Sequence, residues 1–181
     1  PKMVFDYSYE DRYNAPGSPL MTHNARGSLV LATSADGKSI YLRGEGASPE
    51  GDRPFIDALD LESGAKTRLF HSEAPYYEMP IAWIDAEAGH LLTRRESRDE
   101  PPNYFVHASG DVRAVTHFPN PYPGLEGVGR ELVRYDREDG VKLSATLYTP
   151  AGYTSEDGPL PMLVWAYPRE YKSASAAAQI R

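Results

Sequence analysis

A strand–turn–strand layout that recurs about every 50 residues most constrains how this chain can fold. Leu29–Thr33, an Asp36–Gly37 turn and Ser39–Arg43 make a first pair of runs. After a long polar loop, Phe55–Asp60, a Ser63–Gly64 turn and Lys66–Phe70 make a second. The layout then returns as Ile81–Ile84, a turn at Gly89 and His90–Arg94, followed by Tyr104–His107, a Ser109–Gly110 turn and Val112–Thr116. β-Branched and aromatic residues fill these runs, and Gly beside Asp or Ser closes them, which is the chemistry of short antiparallel strands. Each stretch holds four short strands, the size of a propeller blade. A lone blade has two faces and cannot bury both, so blades stack on neighbours. Two blades, near 28–70 and 79–117, do not close a ring, and apolar faces would stay open unless something covers them. A β-sandwich built from the same strands is also allowed by the pattern.

Composition agrees with a mainly β chain. Thirteen Tyr, 16 Pro and 15 Gly in 181 residues point away from a helical bundle and toward short strands with many turns. The length permits one domain, or one and a fraction. A net charge of -7 argues against a nucleic-acid surface, which needs a concentrated basic face. With no cysteine, disulfides, thiolate metal sites and a Cys nucleophile are excluded. No apolar run approaches the roughly 20 residues that span a bilayer, so no membrane insertion is expected. The chain begins at Pro1, so the missing leader is uninformative.

The stretch Phe118–Gly124 is too rich in proline for an inner strand and reads as a linker, with a boundary near Leu125. Beyond it, Glu131–Tyr135, a turn at Asp139–Gly140 and Val141–Tyr153 form a hairpin. A polar Ser155–Gly158 loop leads to the apolar run Leu160–Tyr171, long enough for one buried strand. The tail Lys172–Ile180 has helix-forming composition, with Ser173 or Ser175 as its cap.

This last third resembles the entry into the α/β-hydrolase domain of the prolyl oligopeptidase family of serine peptidases. The stretches Arg134-Tyr135-Asp136-Arg137-Glu138-Asp139-Gly140-Val141 and Trp165-Ala166-Tyr167-Pro168-Arg169-Glu170-Tyr171-Lys172-Ser173 look most like its glutamyl endopeptidase branch. The resemblance implies a partial propeller over 1–124 and the first antiparallel strands of a peptidase domain over 125–181. It also implies hydrolysis of peptides after Glu by Ser, Asp and His, with no cofactor. Such a nucleophile sits on a G-x-S-x-G turn. No serine here has glycine at both places, so the triad is expected beyond Arg181 and this stretch is expected to be inactive alone. His23, His71, His90, His107 and His117 lack metal-ligand spacing and read as ordinary polar residues of strands and loops.

The family places a tyrosine after the apolar strand, where its hydroxyl donates to the oxyanion of the tetrahedral intermediate. Tyr167 matches that position, although Pro168-Arg169-Glu170 replaces the family's small residue and glycine; packing at a domain interface is the other reading. Cleavage after Glu calls for a cation facing the substrate carboxylate. Arg94, Arg95 and Arg98 form the local basic cluster, and Arg169 lies beside Tyr167; each could equally pair with a nearby Glu. Trp83 and Trp165 read as core, and Asp57, Asp60 and Glu62 as a wet strand face. Expected partners are a peptide substrate and, through open sheet edges, a second copy of the chain. The competing class is a non-catalytic β-repeat binding module.

Overall fold

The structure, a computed structural model, describes residues 3–166, 171–177 and 179. It is mainly β and divides into one unit running to Asn120 and a second from Pro121 onward.

The first unit is built on two four-stranded antiparallel sheets. Short strands open it: β1 (Ser18–Pro19), β2 (Met21–His23) and β3 (Leu29–Leu31). They lead to β4 (Ser39–Gly44), a small hairpin of β5 (Ala47–Ser48) and β6 (Gly51–Asp52), then β7 (Phe55–Asp60) and β8 (Lys66–His71). The first sheet has the order β1-β4-β7-β8. One expectation needs correction here. Leu29–Leu31 does not join this sheet but pairs with Met21–His23, and the stretch after it meets β4 through a bridge of Thr33 to Ile40. Ser18 and Pro19 take the remaining places opposite Arg43 and Leu42. Burial drives this division: Leu20 and Ala32, each 6% exposed, turn inward between the two stretches, and Ala32 N–H donates to the Leu20 carbonyl at 2.8 Å.

The second sheet is a meander of β9 (Tyr77–Asp85), β10 (His90–Glu96), β11 (Asn103–Ala108) and β12 (Asp111–Ala114), adjacent in chain order. Its turns fall at the Gly89 and Ser109–Gly110 positions read from the sequence. Leu91 of this sheet joins Leu20, Ala32, Tyr41 and Ile56 in one buried cluster, with Ala58, Phe70, Trp83 and Ala86 packed around it. Trp83 therefore does border the core, its ring 5.5 Å from that of Tyr41. Fully burying an aliphatic side chain such as Ile56 contributes about 1.5–3 kcal/mol, so this seam is the main adhesive between the sheets.

The second unit centres on the hairpin β13 (Gly129–Asp136) and β14 (Lys142–Thr149), in register from Gly129 opposite Thr149 to Asp136 opposite Lys142. Its turn is held by Arg137, which donates to both carboxylate oxygens of Asp139 at 2.8 and 2.6 Å. Those bonds hold the Asp139 carboxyl at about 2. The apolar run that follows departs from expectation. Residues 159–166 form no strand, and Met162, Leu163, Val164 and Trp165 are largely exposed. A strand needs a ladder neighbour for its backbone groups, and the described residues pair no segment with this one; Trp165 is not core. The tail does form a helical turn, α1 (Ala174–Ala177), capped by Ser173, whose hydroxyl accepts from the Ala176 N–H at 3.2 Å.

Candidate functional site

Tyr167 and Arg169 lie outside the described residues. Arg94, Arg95 and Arg98 sit at the end of β10 and in the bend after it, yet they do not form one basic surface. Side chains alternate along a strand, so Arg94 and Arg95 point to opposite faces. Arg94 reaches Glu96 on its own face at 3.3 Å. Arg95 lies over the rings of Phe105 and Tyr76, 3.7 and 4.2 Å from their centroids, with Glu100 at 3.7 Å. Stacked between two aromatic rings, its guanidinium also keeps a buried Nε with no hydrogen-bond partner among the described residues. Arg98 is exposed.

On the face that Arg95 shares lies a buried polar group that sequence reading missed. Glu78 stands opposite Arg95 across the β9–β10 ladder. Its Oε1 accepts from the Thr93 hydroxyl at 2.6 Å and lies 2.7 Å from His107 Nε2. An ionised carboxylate can only accept, so Nε2 carries the proton of that bond. Burial pushes the Glu78 carboxyl up, but the bonds from His107 and Thr93 and the nearby Arg95 charge outweigh it and hold it below the usual range. His107 in turn meets the edge of Phe70 from the first sheet at 5.4 Å. The group links the two sheets and is closed in by them, so it reads as architecture.

An open concavity of this unit lies on the other face of the first sheet. It is a cleft of about 440 Å³ lined by Tyr13, Asn14 and Ala15, by the β5–β6 hairpin and Arg53, and by Lys66, Arg68 and His71 of β8. Asp57 is part of its lining. Expected on a wet face, Asp57 is instead 3% exposed, because Arg68 covers it, donating through Nε and, at 3.3 Å, through a terminal nitrogen. The Arg68 guanidinium rests on the Phe55 ring, 4.1 Å from its centroid. Asp60 belongs to the turn, where its carboxylate accepts from the Ser63 N–H at 2.7 Å.

A bulge decides what else faces the cleft. Asp57 pairs with Arg68 and Ile56 with Phe70, leaving Leu69 as an extra residue. That extra residue puts Lys66, Arg68 and His71 on the cleft face and turns Phe70 to the core. Strict alternation would have grouped Phe70 with the cations, so no period-2 reading of the sequence could find this set.

No protein-family model matches the chain. It is 43% identical over 196 residues to a probable chloroplastic glutamyl endopeptidase of Oryza sativa subsp. japonica, covering 100% of this chain and 21% of that protein. A probable chloroplastic glutamyl endopeptidase of Arabidopsis thaliana is 41% identical over 197 residues, covering 100% of this chain and 20% of that protein. A solved structure of AtxE2 isopeptidase with Astexin3-dC4 bound aligns over 75% of this chain and 22% of its own, with a TM-score of 0.41 and 12% identity. The chain thus spans about a fifth of the length of the curated relatives it matches. Along its whole length it is similar to one stretch of proteins named as peptidases.

Proposed function

We propose that the chain is a stretch of a serine peptidase of the prolyl oligopeptidase type, glutamyl endopeptidase-like, that cleaves peptides after Glu. The observation that carries this reading is the 43% identity, over the entire chain, to a protein named as a probable glutamyl endopeptidase. In this reading the sheets of the first unit are propeller blades near 28–70 and 79–117, and 125–181 opens the α/β-hydrolase domain. The meander order of β9 to β12 favours blades, because sandwiches of this size are usually threaded as Greek keys. Tyr167 serves as an oxyanion donor. Arg169 supplies the cation that meets the substrate carboxylate. The 181 residues alone are catalytically silent, since a donor without a nucleophile has nothing to stabilise.

The test is made on the full-length gene product. A fluorophosphonate should label one serine, and a fluorogenic glutamyl peptide should be cleaved by that product but not by the 181 residues alone. Tyr167→Phe in the full-length enzyme should lower kcat by about 100-fold with little change in KM. Absence of labelling would remove the serine-peptidase reading, and turnover by the 181 residues would remove the claim of silence.

A further inference from the structure

We propose that the cleft beside β8 is a binding site for a carboxylate group, carried by an acidic peptide or by a small dicarboxylic acid, with Arg53 and Lys66 as the pairing cations. This goes beyond the proteolytic reading, because it concerns binding within the first unit and is read without any cleavage.

The cations of the cleft are not alike. Arg68 is committed to Asp57, and that pair is internally neutral. Arg53 and Lys66 have no side-chain hydrogen bond or ion pair among the described residues, Lys66 having only the Phe5 ring at 5.9 Å. Glu50 is the remaining carboxylate of the lining, and it is engaged by the Ser48 hydroxyl at 3.2 Å. Three arginine and lysine charges against two carboxylates leave the cleft one positive charge, in a chain whose net charge is -7. A single carboxylate group matches that surplus, and a dicarboxylic acid can leave its second group in solvent, whereas a phosphate dianion holds both charges on the one bound group. The fork of a guanidinium is also matched to the two oxygens of a carboxylate.

His71 completes the arrangement. Burial lowers its pKa, and the Arg68 and Arg53 charges push the same way, against the opposing pull of Glu73 and Asp57. The imidazole is therefore neutral at neutral pH and presents one N–H. The apolar surfaces of Phe55, Ala15 and Ala47 line the same space and would pack on the methylenes that carry an acid group.

Calorimetry on the 181-residue chain tests this with four probes: a blocked peptide with one central Glu, its Gln counterpart, glutarate and inorganic phosphate. The Glu peptide or glutarate should bind, with the Gln peptide at least about tenfold weaker. Arg53→Gln and Lys66→Gln should each weaken binding about tenfold, the usual weight of a charge-assisted hydrogen bond. Arg113→Gln, an exposed cation on β12 away from the cleft, should leave binding unchanged. Arg53→Lys keeps the charge and should retain part of the affinity, which separates a lost contact from a lost fold. Saturating ligand should also raise the His71 pKa in an NMR titration. Tighter binding of the peptide than of glutarate identifies a peptide source, and the reverse order a small acid; either supports the site. No binding, equal affinity for the Glu and Gln peptides, tighter phosphate, or an Arg113→Gln loss matching Arg53→Gln overturns it.

Discussion

Thr93 is fully buried, and its hydroxyl has one essential task, donating to Glu78. Thr93→Val keeps the shape and removes the donor, leaving a buried carboxylate short of a partner. That should cost about 1–3 kcal/mol in urea unfolding at neutral pH. The pH dependence has a definite sign. The folded-state pKa of Glu78 lies below its ordinary value of 4.5, so the carboxylate contributes stability above that value. The contribution is lost as pH falls through the depressed folded pKa. Glu78→Gln should flatten the acid limb of the stability profile, and an unchanged limb would show that the group is not charged in the folded chain. This group was not legible in the sequence. The run read from the sequence begins at Ile81, and Pro80 just before it gives no sign that the strand extends back to Glu78. The structure instead seats Pro80 within β9 opposite Thr93, at a shift in register.

Among elements, the small β5–β6 hairpin governs the cleft wall. Gly46 adopts φ +64° just before it, and a side chain there would overlap the carbonyl oxygen of Arg53. The same two residues are tied by the Arg53 N–H donating to the Gly46 carbonyl at 2.9 Å. Gly46→Ala combines a left-handed backbone with a backbone clash and should destabilise the first unit by about 1–3 kcal/mol. It should also displace Arg53. Thermal unfolding measures the first effect and loss of Glu-peptide affinity the second; a variant normal in both would show that the hairpin is dispensable. Elements closed by a glycine turn were readable, and β10, β11 and the β13–β14 hairpin fall where the sequence put them. The failures share one cause. Leu29–Leu31 and Leu160–Trp165 have strand-like composition, but composition does not say which backbone will lie alongside.

Taken whole, the chain has a modest core and a great deal of apolar surface. Leu163 and Trp165 are 93% and 83% exposed, and Tyr148 on β14 is 63% exposed. Such surface promotes association. The isolated chain should sediment as concentration-dependent oligomers, and Leu163→Lys with Trp165→Lys should shift it toward monomer. A monomer at all concentrations would show that these side chains find cover within the chain. These side chains belong to the second unit, where the sequence predicts a buried strand, and not to the repeats, where it predicts open faces.

The supernumerary Leu69 in β8 has a last consequence, one of parity. A version of the strand lacking that residue would run as an even ladder and still present the same imidazole and ammonium outward. Gaining a residue there has the same parity: seven residues in even alternation again set Lys66, Arg68 and His71 on one face and Phe70 on the other. A single step in either direction at this place is silent as long as the ladder then runs evenly.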